Sequence, residues 1–219
     1  MPRSSRKTTR RPRWRRRPDA RPEEILTAAL EVFGERGFAG TRCEEVARRA
    51  GVSKGTLYLY FESKDVLFRE MVRAKIESAV ASTEEFVKNW EGSTEDLLRA
   101  LIERQWEKVN RPEHLRLSRL VLSELGSFPE LARFYYQTVI LRARRVIESV
   151  IERGIASGEF RRVAPDFAAR ALQTLCVQLA QYRHCFLAYD PAPLSSEQTL
   201  AGLTDLYVHA LLRQPAQEK

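Results

Sequence analysis

Residues 41–64, Thr-Arg-Cys-Glu-Glu-Val-Ala-Arg-Arg-Ala-Gly-Val-Ser-Lys-Gly-Thr-Leu-Tyr-Leu-Tyr-Phe-Glu-Ser-Lys, spell two short helices joined by a tight turn. Thr41 followed by Glu44 fits a capping box, in which each side chain satisfies a free backbone N–H at a helix start. Cys43, Val46, Ala47 and Ala50 then recur at helical spacing and make one face apolar. Gly51 is placed to end that helix in a left-handed conformation, and Ser53 offers a side-chain oxygen to cap the next one. A helix, a short turn with glycine and a second helix form a helix-turn-helix, whose second helix enters the major groove of DNA.

Around this segment the chain resembles the TetR family of bacterial transcriptional regulators. The run Ala50-Gly51-Val52-Ser53-Lys54-Gly55-Thr56-Leu57-Tyr58, then Tyr60-Phe61 and Lys64, is similar to the family signature almost position for position. Upstream, Ile25-Leu26-Thr27-Ala28-Ala29-Leu30, Phe33, Arg36-Gly37-Phe38 and Thr41 fit as well. The close match covers about residues 22–72. The rest resembles the family in length and all-helical pattern, and around Leu120 to Phe134 it is loosely like the regulators of efflux systems. The resemblance implies a three-helix DNA-binding head, a ligand pocket among the middle helices, and a dimer interface on the last two helices, as a four-helix bundle made by two subunits.

The net charge of +8 conceals a division. Residues 1–21 carry ten basic side chains against Asp19 alone, so 10 − 1 gives +9 there and 8 − 9 leaves −1 for the remainder. Pro2, Pro12 and Pro18 argue against a stable helix in this arm. An arm of this kind neutralises phosphates or enters the minor groove; the alternative is a solvated tail. No apolar run approaches the roughly 18 residues of a membrane span, and the N-terminus lacks the apolar stretch of a secretory signal. Cys43, Cys176 and Cys185 lack metal-ligand spacing and read as reduced thiols of a cytoplasmic protein.

The remaining pattern is all-α, with no useful strand alternation and no internal repeat. Ile25, Ala29 and Phe33 form an i, i+4, i+8 stripe of a first helix that Pro22 opens. Ser63 starts a fourth helix with Val66, Leu67, Met71, Ile76 and Val80 on one face. Breaks at Gly92-Ser93, Arg111-Pro112, Ser127-Phe128-Pro129, Gly158 and Asp190-Pro191-Ala192-Pro193 punctuate the rest. A long pattern runs from Pro129 to about Ile155, and the last two helices span about 165–188 and 196–212. The expected organisation is an arm at 1–21, a DNA-binding head at 22–66 and a helical ligand-binding and dimerisation domain at 67–219. Ala168, Ala171, Leu172, Leu175, Leu179, Tyr182 and Phe186, with Leu200, Leu203, Tyr207, Ala210 and Leu211, supply the apolar stripes that pack inside the domain and, in part, against a second subunit.

Candidate DNA-binding residues are Thr41, Arg42, Ser53, Lys54, Gly55, Thr56, Tyr58, Tyr60 and Lys64. Lys54 reaches guanine O6 or N7, and Gly55 lets backbone approach closely. Thr56 and Tyr58 add contacts to a thymine methyl or to phosphate. The matching family positions imply backbone contacts for Tyr60 and Lys64, while Thr41 and Ser53 combine capping with phosphate contact. Leu57 and Phe61 pack into the head. Glu44 repels phosphate if it faces DNA, and its capping role explains it equally well.

Candidate pocket residues are Trp106, Phe134, Tyr135, Tyr136, Gln173, Gln178, Gln181 and His184. Aromatics at helical spacing are often plain core, but glutamines in an otherwise apolar helix need partners. His184 and Cys185 point about 100° apart on a helix, so no metal site is expected there. No catalytic motif such as G-x-S-x-G or H-E-x-x-H occurs. No enzyme activity and no cofactor are expected. The reading is a homodimeric repressor on a palindromic double-stranded DNA operator, released by an apolar or aromatic small molecule. The alternatives are a constitutive DNA-binding or architectural protein and a helical small-molecule binder without a switch.

Overall fold

The computed structural model describes residues 21–74 and 78–213, and the expectations for the basic arm therefore fall almost wholly outside the described residues. Helices follow one another in the order α1 (Arg21–Gly40), α2 (Cys43–Arg49), α3 (Lys54–Tyr60), α4 (Lys64–Val72), α5 (Ser78–Lys88), α6 (Thr94–Val109) and α7 (Pro112–Glu124). Then come α8 (Pro129–Tyr135), a π-helical stretch at Tyr136–Leu141, α9 (Arg142–Ser157), α10 (Pro165–Phe186) and α11 (Ser196–Leu211). The described residues hold no strand, only an isolated bridge between Phe160 and Leu212. None of the described helices is long and apolar enough to cross a membrane.

The starts of these helices follow from their caps. Ser53, Ser63, Ser93 and Ser195 each accept a backbone N–H with the side chain, and Pro129 and Pro165 occupy first turns, where no N–H is missed. The capping box expected at Thr41 and Glu44 does not form. Arg42 is the N-cap of α2 and makes no side-chain cap bond. Gly37 takes φ +73°, which kinks the end of α1; the Thr41 hydroxyl donates instead to the Gly37 carbonyl at 2.7 Å. Gly51 does adopt the left-handed conformation, at φ +66°.

Two apolar cores divide the protein. The first joins α1–α4, around Phe33, Phe38, Leu57, Phe68 and Met71, to Leu117 and Leu120 of α7, Leu131 and Tyr135 of α8, and Val139. The second joins α6, α9, α10 and α11 around Leu97, Ile102, Trp106, Ile147, Ile151, Leu172 and Val208. The head thus shares its core with the body, and the expected boundary at 66/67 falls within α4. The apolar face expected to run on from α4 is interrupted: Val80 lies on α5, and Ile76 falls outside the described residues. The long pattern from Pro129 is one continuous helical path with a change of face. Before and within its π-helical stretch Leu131, Tyr135 and Val139 enter the first core, and after it Val146, Ile147, Val150 and Ile151 enter the second. Single π turns of this kind concentrate at functional sites.

The apolar stripe expected on the last helix is core, not free surface. Leu203, Tyr207 and Leu211 are buried within their own chain, and the Tyr207 hydroxyl donates to the Ala168 carbonyl. What remains exposed is Leu175, Tyr182 and Phe186 of the stripe expected on α10, joined by Phe167 (71%) of α10 and Leu206 (68%) of α11, which the expected stripes did not include.

Candidate DNA-reading head and effector cavity

Inside the head, α1 braces α2 through charge and α4 through rings. Arg49 of α2 grips Glu35 of α1 with two bonds of 2.7 Å, which holds the Glu35 carboxyl below the usual range. Phe33, Phe38 and Phe68 pack as one aromatic cluster with centroids 5.4–5.7 Å apart. Leu57 and Phe61 of the second motif helix are buried, as their spacing requires. The opposite face of α3 is left to solvent.

On that face Lys54 stands exposed beside Glu44, Nζ to Oε1 2.6 Å; the pair raises the lysine pKa and lowers that of the carboxyl. Tyr58 and Tyr60 are exposed, and the Tyr58 hydroxyl hydrogen-bonds the Cys43 thiol, which pushes its pKa up. The Ser53 and Thr56 hydroxyls share a bond of 2.8 Å. A Cβ at Gly55 would meet only Ser53 Oγ, at 3.8 Å, so nothing inside the chain requires glycine there. Arg42 is exposed just before α2. Leu59, 80% exposed in mid-α3, escaped the sequence reading. Its place two residues after the buried Leu57, about 200° around the helix, was the available signal.

Two candidates point elsewhere. Thr41 is buried, with its hydroxyl turned into the α1 corner. Lys64 donates its ammonium to the carbonyls of Phe38 (2.8 Å), Ala39 (3.2 Å) and Thr41 (3.2 Å). An ammonium has three N–H donors, and all three go to closing this corner. Lys64 therefore helps to hold the head together.

The body contains a cavity of about 270 Å³ between α6, α7, α8, the π-helical stretch, α9 and α10. Tyr135, Gln173, Gln178 and Gln181 line it. Trp106 does not; it sits in the second core and donates Nε1 to Ser196 Oγ at 3.0 Å. Phe134 lies under the Arg69 and Arg73 guanidinium groups, 5.1 and 5.2 Å from its centroid, where it joins α8 to the end of α4. Tyr136 faces Arg144, and His184 lies in a separate surface groove beside Asn110 and Arg119. Among the described residues no cluster of His, Cys, Asp or Glu is disposed to hold a metal ion. Lys108, His114 and Ser118 also line the cavity, and nothing in their local sequence singles them out. Each stands in a polar stretch of α6 or α7, where only tertiary packing tells an inward side chain from a solvated one.

Residues 25–71 match the profile of the bacterial regulatory proteins of the tetR family. Residues 96–210, more than half of the chain, match the C-terminal domain of AefR-like transcriptional repressors. The chain belongs to the TetR family. Members of this family are transcriptional regulators rather than enzymes. This chain is accordingly a DNA-binding transcriptional repressor, of a kind that typically dimerises and is released by a ligand. It is 28% identical over 192 residues to the regulator YhgD of Bacillus subtilis, covering 86% of this chain and 94% of that one. Its fold matches that of Bacillus subtilis FadR, solved with stearoyl-CoA, at TM-score 0.71, with 20% identity over 86% of this chain and 98% of FadR. A regulator from Saccharomonospora viridis solved with choline gives TM-score 0.72 and 21% identity, with coverage of 88% and 98%.

Proposed function

We propose that this TetR-family protein works in the cytoplasm as a homodimer on a palindromic operator and leaves it when a small, largely apolar molecule fills the body cavity. In this reading Lys54, Gly55, Tyr58 and Leu59 meet base edges, and Arg42, Ser53, Thr56 and Tyr60 grip the backbone. The dimer forms through the exposed apolar set on α10 and α11, Phe167, Leu175, Tyr182, Phe186 and Leu206. The two relatives solved with ligands hold molecules of very different size and charge, so the effector class must be read from this chain's own cavity.

One observation carries the switch: Tyr135 and Val139 line the cavity and also belong to the head's core. An occupant that moves either residue moves the packing under α4 and α1. The α1–α7 contact transmits the same motion, because Gly34 lies so close to α7 that a Cβ there would stand 3.2 Å from Arg116 Cβ. Half-sites lie about 34–36 Å apart or a multiple of that, so a small rotation of each head spoils the match.

The test is footprinting of the protein on its own upstream DNA with a compound panel, followed by calorimetry of any active compound. Linkage requires operator to weaken ligand binding by the factor with which ligand weakens operator binding, on the order of 5- to 150-fold. Equal ligand affinity with and without operator refutes the switch.

A further inference from the structure

We propose that the body cavity is built for an anionic effector, a carboxylic acid with a compact apolar body whose carboxylate pairs with the Lys108 ammonium. The proposal rests on the ligand-released repressor reading and deepens it.

Lys108 lines the cavity, yet no Asp or Glu shares that lining, and no carboxylate pairs with it among the described residues. Burial and the neighbouring Arg111 push its pKa down. Lys108 is half-buried, and a cation partly withdrawn from water without a partner carries a desolvation cost. That cost is expected where a ligand brings the counter-charge. His114 beside it is pushed down to about 4 by burial and by Lys108. At neutral pH it therefore offers a hydrogen bond and no second charge.

Other polar atoms of the lining point the same way. Gln181 Nε2 is a buried donor without a hydrogen-bond partner and lines the cavity. By contrast, the Gln173 amide nitrogen is already committed to the Ile140 carbonyl at 3.2 Å. An ammonium and an unpaired amide N–H are both donors, and a carboxylate accepts from both. A cationic ligand would meet Lys108 with no acidic side chain to offset it. Tyr135, Val139, Ile140, Ala143 and Val177 give the same lining an apolar and aromatic part. A volume of about 270 Å³ lies just below the roughly 300 Å³ at which ligand sites usually begin, so the apolar body is short or a single ring.

Matched probes test this on the full-length protein by calorimetry: octanoate against octanamide and octyltrimethylammonium, and 4-phenylbutanoate against 4-phenylbutanamide. At least one acid is expected to bind about tenfold or more tightly than its amide, and the quaternary ammonium is not expected to bind. Lys108→Met should abolish the preference, Lys108→Arg should keep it, and Lys108→Met should melt no lower than the wild type. The proposal is overturned if neither acid binds, if acids and amides bind alike, or if the preference survives in Lys108→Met. A parallel gel shift separates the two readings. Operator release by acid and amide alike leaves the repressor standing and removes the anion. Acid preference without operator binding under any condition supports the anion and removes the repressor.

Discussion

The head and the cavity treat charge in opposite ways. In the head, Arg49 is paired with Glu35, Lys54 with Glu44, and Lys64 has carbonyls for all three donors. In the cavity, Lys108 has no carboxylate and Gln181 keeps a buried N–H without a partner among the described residues. A surface that must present a fixed face to DNA gains from internal pairs that hold its geometry before binding. A site that must respond to an occupant gains from groups that only the occupant satisfies. The two regions nonetheless share one core, through Tyr135 and Val139, and that sharing is what makes the contrast useful for a switch.

The largest effect expected tests the shared core. Phe68 is fully buried and packs edge-on against Phe33 and Phe38, so Phe68→Ala should cost about 3–5 kcal/mol. Because α7 and α8 belong to the same core, denaturant unfolding of this variant, followed by probes in head and body, should remain one transition. A head that melts separately while the body stays folded would break the account of coupling.

The next effect comes from the cavity and depends on pH. His114 has a folded-state pKa of about 4, below its ordinary value. As pH falls, the unfolded chain takes the proton first, so stability is complete above about 6.5 and is lost on the way down to about 4. The gap corresponds to at most about 3.5 kcal/mol. His114→Gln should flatten that part of the stability profile by pH-dependent denaturation. A wild-type profile already flat between 6.5 and 4 would mean that the imidazole is solvated.

The sequence made these two regions unequally legible, for a physical reason. Ser53, Gly51, Leu57 and Phe61 act within a few residues of their own positions, and their spacing alone revealed the turn and the buried face. The caps and prolines likewise placed most helix starts. The bonds of Thr41 and Lys64 into the fold could not be read from the sequence, because their partners are set by the kink at Gly37 and, for Lys64, by carbonyls more than twenty residues away. The cavity joins α6, α7, α8, α9 and α10, which only tertiary packing brings together. Glutamines on an apolar helix gave it away in part; Lys108 and His114, among other polar residues, did not.

A smaller effect probes the recognition face. Lys54→Ala should lower operator affinity by about 5- to 150-fold and relax selection at one or two base positions, as loss of a base contact does. Glu44→Gln should act in the other sense, freeing Lys54 from its partner and strengthening binding to DNA of any sequence. Selection experiments with randomised half-sites check both. Unchanged base preference in Lys54→Ala would place the reading contacts elsewhere on α3.

The smallest effect isolates DNA reading from folding. Gly55 lies within α3 without a positive φ, and a Cβ there would find only Ser53 Oγ in ordinary contact at 3.8 Å. Alanine is favoured over glycine in a helix by up to about 1 kcal/mol, less near a first turn, so Gly55→Ala should raise the melting temperature slightly. In the proposed docking, the same methyl group projects from the face that approaches the duplex, where close contact between backbone and groove would leave no room for it. Operator affinity should therefore fall while stability rises. A variant that melts higher and binds operator as tightly as the wild type would show that α3 stands off from the groove at this position. Base reading would then rest on longer side chains such as Lys54 and Tyr58.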